Sequence, residues 1–211
     1  MISALKTNLS ALTLGIFLVA APAAAEPTAD ELQEAATFIR QLADDTIESL
    51  KRTEEGSITD PDRIEELLDR GFEVQRISRY VVGRHWKKAS RDQRDEYSSL
   101  FRDFVIDVII QRLELFTSEE LEITGQYAAG KRDIFVASKV IRKQGNIDVD
   151  WRVRKFGKAY RIIDLKVAGV SMVITYREDF GAVIQSKGFE GLIQRLREKT
   201  IETKPLVLDL A

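Results

Sequence analysis

The chain has 211 residues, 44% of them apolar and 31% charged, which is enough for one domain with a substantial core. It has no cysteine and a single histidine, His85, which excludes disulfides, thiolate nucleophiles, and Cys-ligated or multi-His metal sites. A formal net charge of −2 argues against nucleic acid as a partner, because such binding requires a dominant basic surface.

Residues 1–25 read as a signal peptide. Lys6 supplies the positive start, and the apolar stretch from Leu9 to Ala21 falls short of the ~20 residues that a membrane span needs. Ala23, Ala24 and Ala25 then offer small residues for cleavage before Glu26. The mature chain, 26–211, is expected to be a single exported domain in a periplasm-like compartment, stable from its core without disulfides.

Thr28-Ala29-Asp30-Glu31 has the form of a capping box and predicts a helix start, with Phe38, Ile39, Leu42, Ile47 and Leu50 at helical spacing. Glu54 to Ser57 is its expected end. Asp60-Pro61 predicts a second start, an N-cap followed by proline at the first helical position, with Ile64, Leu67 and Leu68 as its stripe. Gly71 and Gly83 bracket a third helical stretch. Ser90-Arg91-Asp92-Gln93 repeats the capping box and opens a long helix to about Phe116. That helix is amphipathic at first and then apolar nearly all round over 104–110, so it should be covered on most faces or line an apolar cavity.

From Leu121 the period changes to two. Strands are predicted at 121–128, 132–143, 146–156 and 159–175, with short glycine turns at Gly130, Gly145 and Gly157. Two short helices, about 176–187 and 189–201, should follow and divide at Gly188. The expected fold class is therefore α+β: N-terminal helices, a twisted antiparallel meander of about four strands, and C-terminal helices, enclosing an apolar pocket.

Charge is uneven along the chain. Residues 26–69 carry 14 acidic and 4 basic side chains, whereas 70–94 carry 8 basic and 2 acidic. The basic segment suits a phosphate head group, an anionic membrane or an acidic partner, or else a solvated face paired with the acidic N-terminal helix.

Catalytic patterns are sparse. There is no G-x-S-x-G elbow and no glycine-rich phosphate loop, and His85 among charged neighbours reads as a surface residue. Asp148 and Asp150 alternate with Val149 and Trp151 and should face solvent. Asp164 lies in an apolar run and needs a partner, either an arginine on a neighbouring strand or the environment of a raised-pKa acid. The positive signal is apolar surplus: Phe101, Phe104, Val105 and Val108 from the long helix, and Val136, Trp151, Ile163, Leu165, Val170 and Met172 from the strands. Any one of these alone is ordinary core. Collectively, an all-round apolar helix facing a curved sheet leaves room between the two.

The runs FEVQRISRYVVGRHWKKASRDQRDEYSSLF (72–101), YRIIDLKVAGVSMVITYREDF (160–180) and GFEGLIQRLREK (188–199) carry a resemblance. They combine a Gly-Arg-x-Trp run, a Ser-x-x-Gln-Arg helix opening, an Asp-Leu-x-Val-x-Gly-Val-Ser-Met strand-turn and a Tyr-Arg pair. In these features the chain resembles the MlaC/toluene-tolerance auxiliary family, periplasmic phospholipid carriers of ABC systems that maintain outer-membrane lipid asymmetry. The resemblance implies a non-enzymatic monomeric shuttle, without cofactor or metal. Its partners would be a phospholipid ligand and membrane-associated complexes at the inner and outer membranes. It casts Trp86, Phe101, Phe104, Val105, Val108, Val136, Trp151, Val170 and Met172 as lipid-tail contacts, and Arg84 and Arg177 as neighbours of the head group.

The chain departs from the family's usual residues at Tyr160 and Ala168, where Trp and Glu are common, and in a long helix poor in tyrosine. These departures leave the lipid open, including a hopanoid or other polycyclic lipid. Two other readings are an enzyme on a cone-like α+β scaffold, using Asp164 with His85 or a tyrosine, and an adaptor whose apolar surface binds protein.

Overall fold

A computed structural model describes residues 26–51, 61–113, 120–142 and 145–201. The expected signal segment, the helix end at Glu54 to Ser57, the Asp60 cap and Phe116 lie outside the described residues. Helix α1 (Ala29–Lys51) opens in the expected box. The Thr28 backbone N–H donates to Glu31 Oε2 at 2.9 Å, and that of Glu31 donates to Thr28 Oγ1 at 3.3 Å. Helices α2 (Pro61–Gly71) and α3 (Val74–Val82) follow, and a 3-10 turn, Gly83–Lys87, leads towards α4 (Arg91–Leu113). The second box closes reciprocally at the start of α4: Ser90 N–H to Gln93 Oε1 and Gln93 N–H to Ser90 Oγ, both at 3.1 Å.

The strands form one antiparallel meander in sequence order: β1 (Glu120–Ala129), β2 (Asp133–Ile141), β3 (Ile147–Phe156), β4 (Ala159–Val167) and β5 (Val170–Ser171). Register places Val136 opposite Trp151 and Trp151 opposite Leu165, while Ile134, Val153 and Ile162 form the neighbouring row. These residues share the apolar face, and α1 lies on it through Ala35, Ala36 and Ile39. The other face is polar. On it Asp133 accepts hydrogen bonds from Arg152 Nε and Arg154 Nη2, each at 2.9 Å, and Lys166 sits 4.3 Å over the Phe135 ring. Irregularities at Ile123/Gly125 and at Arg152/Val153 bend the ladder. Beyond β4, Phe72 forms a parallel bridge to Ile162, and Glu73 N–H donates to the Ile162 carbonyl at 2.9 Å.

The last predicted strand ends early. β4 stops at Val167, a two-residue turn at Ala168-Gly169 follows, and helix α5 (Met172–Arg197) starts just after the two-residue β5. Alternation in VSMVIT suggested a continuing strand, but local hydrogen bonding decides otherwise. Ser171 is the N-cap, and its hydroxyl accepts from Ile174 N–H at 3.1 Å. Asp164 Oδ1 also accepts from Val173 N–H at 3.2 Å. The predicted break within the C-terminal helices is present, because Gly188 has φ 74° and ψ 176° inside α5.

Four apolar clusters make up the core of the described residues. One packs α3, α4 and α5 around Tyr97, Phe101, Phe180, Leu192 and Ile193. A second joins α1 to the sheet. A third occupies the far end of the sheet around Val140, Ile147, Val149 and Val167, and the fourth joins α2 to α4 through Ile64, Leu68 and Ile106.

Candidate functional site: an apolar seam with a cationic rim

The clusters meet through side chains that are only half-buried. Phe72 packs against both the sheet cluster and the α2–α4 cluster, and Val105 against the helical and α2–α4 clusters. Trp151 and Leu121 join the two sheet clusters. The all-round apolar half of α4 lies on this seam. Of residues 104–110 only Ile106 is fully buried, whereas Phe104, Val105, Val108, Ile109 and Ile110 are partly buried. No residue of this stretch is exposed, so the helix is covered on most faces, as expected. α4 packs against other helices, and the sheet's apolar face takes α1 instead.

Each residue expected to contact lipid has a definite place. Trp151 has its indole N–H satisfied by Ser138 Oγ at 2.9 Å, and Ser138 Oγ–H in turn donates to the Val149 carbonyl at 2.9 Å. The ring is thereby fixed, with its apolar surface towards the seam. Met172 joins Trp151 at the far end of the sheet. Val105 and Val108 stand half-buried on α4. Phe104 packs edge-on against Tyr176, with ring centroids 5.2 Å apart. Phe101 and Val136 lie within closed clusters and are 2% and 0% exposed. Trp86 packs edge-on against Tyr97 beneath the Arg79 guanidinium, and Val170 is on the surface at 47% exposure. The structure thus brings Val105 to the α4 part of the seam and Trp151 and Met172 to its sheet part. It sets Trp86 and Val170 apart from these.

The two expected head-group residues lie at one corner, around Gly83 and His85. Arg177 Nη1 donates to the Tyr80 carbonyl at 2.7 Å, and its guanidinium lies 4.7 Å over the Tyr80 ring. It passes directly over Gly83, where a Cβ would approach Arg177 Nη2 to 2.7 Å and where φ is +51°. Only glycine meets both conditions at that position. Arg84 is exposed nearby. Burial, followed by the charges of Arg84, Lys88 and Arg177, holds the His85 imidazole below its ordinary pKa. Three cations therefore converge on this corner.

Asp164 does not have the arginine partner that was one of its expected environments. Its carboxylate, 8% exposed, accepts from Ser171 Oγ at 2.7 Å, Leu165 N–H at 2.8 Å and Val173 N–H at 3.2 Å. No arginine is among these partners. The group anchors the strand-to-helix junction, which leaves no free acid pointing into a pocket. The signal lay in the Asp-Leu-x-Val-x-Gly-Val-Ser-Met strand-turn, which holds both Asp164 and Ser171. Phe72, Ile109 and Leu121 join the seam without having been singled out as ligand contacts. Phe72 and Leu121, as isolated members of amphipathic runs, were indistinguishable from core, whereas Ile109 belongs to the all-round apolar stretch of α4. Among the described residues no group of three or more His, Asp or Glu side chains is placed to hold a metal, and no helix is long and apolar enough to cross a membrane.

Comparison with known proteins bears on this arrangement. The intermembrane phospholipid transport system binding protein MlaC of Haemophilus influenzae is 19% identical over 134 residues, which cover 61% of this chain and 62% of that protein. The chain thus spans less than two thirds of the length of that curated relative. A solved structure, the phospholipid-binding protein of Ralstonia solanacearum in complex with a phospholipid, has a TM-score of 0.69 and 23% identity. It covers 78% of this chain and 96% of its own, and shows that the two share a fold. The family described as MlaC protein matches residues 40–198, from within α1 to the end of α5 and so across the whole seam. The chain belongs to the MlaC protein family.

Proposed function

We propose that this protein is a phospholipid-binding carrier that takes up acyl chains along the apolar seam and holds the phosphate near Arg84 and Arg177. The observation that carries this reading is the run of partly buried apolar side chains on α4, continuous through Phe72 with the sheet cluster that holds Trp151, in a chain of the MlaC family. Its role is transport without chemistry. Each methylene withdrawn from water is worth about 0.8 kcal/mol, so release of a two-chain lipid into water costs on the order of 20 kcal/mol. A carrier lowers that barrier by offering an apolar surface comparable to the bilayer, and tight polar contacts would slow delivery.

By analogy with its family, the carrier works in the periplasm after removal of residues 1–25. It moves lipid between inner- and outer-membrane complexes of an ABC transport system and so maintains lipid asymmetry. Organic extraction of the purified protein followed by mass spectrometry tests the reading: stoichiometric phospholipid is expected. Protein that arrives lipid-free, and takes up none from vesicles, would overturn it. A polycyclic lipid in the extract would keep the carrier and change its cargo.

A further inference from the structure

Pairing with the acidic N-terminal helix was one of the readings open for the basic segment. Arg70 pairs in this way, through Asp45. Elsewhere Glu34 of α1 holds Lys155, and Glu65 and Asp69 of α2 hold Arg102. These ion pairs leave Arg76, Arg79, Arg84, Lys87, Lys88 and Arg177 with no carboxylate within 4.0 Å among the described residues. Three of them stack on aromatic rings instead, Arg76 on Phe156 at 5.1 Å, Arg79 on Trp86 at 5.2 Å and Arg177 on Tyr80 at 4.7 Å. Stacking of this kind spreads the cationic planes over the surface without neutralising them.

Large apolar side chains stand open among these cations. Tyr80 is 51% exposed and Ile174 49% exposed, and together they line an open groove of about 540 Å³ between α3 and α5, with Arg177, Gly181 and Ala182. Val170 is exposed at the start of the same junction. A single acid, Glu178, reaches that groove. Unpaired cations around an aromatic ring and aliphatic side chains match the boundary between anionic head groups and acyl chains. An acidic protein face would match the cations but not the open Tyr80, Val170 and Ile174.

We propose that the surface formed by α3, the Gly83–Lys87 turn and the first turns of α5 docks peripherally on an anionic phospholipid bilayer. The attachment is electrostatic with shallow insertion of Tyr80 and Ile174.

Co-sedimentation of the mature chain with phosphatidylcholine vesicles, with and without phosphatidylglycerol, tests this. Retention is expected on the anionic vesicles alone, falling about tenfold or more as salt rises from about 0.05 to about 0.5 M. Replacing both lysines, Lys87→Glu and Lys88→Glu, should weaken retention by at least about tenfold, with the circular dichroism spectrum and the co-purified lipid unchanged. Ile174→Ser should lower the binding that survives at high salt by a few fold. Equal retention on both vesicle types, no retention on either, or full retention of the double variant would overturn the proposal. So would binding to soluble polyglutamate without binding to vesicles, which would identify an acidic protein as the partner. Docking by a protein that arrives lipid-free and takes up no lipid from the vesicles would refute the carrier reading and leave this one standing.

Discussion

Removing the Asp164 carboxylate should destabilise the fold by a graded amount set by the acceptors that remain. In the native state its two oxygens take three donors, and both backbone N–H groups, those of Leu165 and Val173, point to the same Oδ1. Asp164→Ala leaves both backbone donors without partners at a site that is 8% exposed. At roughly 1–3 kcal/mol for each stranded buried donor, plus several tenths for a lost anion at a helix N-terminus, the loss should be about 3 kcal/mol. Asp164→Asn keeps one carbonyl oxygen for the two N–H groups and turns its amide to Ser171 Oγ, which has a lone pair to accept it. The charge assistance is lost and the Ser171 hydroxyl proton loses its acceptor, while both backbone donors stay paired, so about 1 kcal/mol is expected. Urea unfolding followed by far-UV circular dichroism and tryptophan fluorescence measures both. With a slope near 2 kcal/mol per M, the Ala variant should unfold about 1.5 M earlier and the Asn variant about 0.5 M earlier, with unchanged slopes. If Asn costs as much as Ala, or Ala costs under about 1 kcal/mol, the carboxylate is not the anchor described. Bound lipid should survive in the Asn variant, whereas the enzyme reading requires a loss of turnover with lipid intact.

Val108→Asp places a carboxylate on the partly buried side of α4, and co-purified lipid should fall at least about tenfold while the far-UV spectrum is kept; full occupancy would place the lipid elsewhere. Gly83→Ala should cost roughly 1–2 kcal/mol of unfolding free energy, because it strains a positive φ and drives Arg177 off the Tyr80 carbonyl. Tyr97→Phe removes the hydroxyl that donates to the Ser78 carbonyl at 3.0 Å in the helical core, and should shift the urea midpoint by an amount equivalent to about 1 kcal/mol. At Asp133, burial works to raise the carboxyl pKa, but hydrogen bonds and charge from Arg154 and Arg152 outweigh it and hold the group below its ordinary value. A depressed carboxyl contributes its stability above the unfolded-state range, near pH 4, and loses it as pH falls through the lower folded value. Asp133→Asn should therefore flatten the acid limb of a stability–pH curve, and an unchanged limb would remove the clamp from that role.

Much of the architecture was legible because its signals are local. The capping boxes at Thr28 and Ser90, the glycine turns of the meander and the break at Gly188 each depend on a few adjacent residues. The end of β4 was hidden for the opposite reason. VSMVIT alternates like a strand, and only Asp164, seven residues before the cap, converts it to a helix start. Seam residues were harder to separate from core. Phe101 and Val108 lie on the same helix with the same apolar character, yet one is enclosed by Phe180 and the other is only partly buried. That difference arises from which helix packs where, and no spacing along α4 encodes it. The basic segment was visible as composition, but whether its charges were paired depended on where α1 and α2 came to lie.

The bridge between Phe72 and β4 also bears on how the protein avoids self-association. β4 is the last long strand of the meander, and its outer edge would otherwise present free amide and carbonyl groups for another chain to pair with. β5 covers one end of that edge through Lys166 and Val167, and the short α2–α3 connection covers the other through Ile162. The remaining edge belongs to β1, which carries Glu120 and Glu122 and an irregularity at Thr124. Charge and a bend there discourage strand addition. A domain that leaves greasy side chains half-open has reason to close its sheet margins, because chains that meet through the seam then find no strand to extend into a fibril.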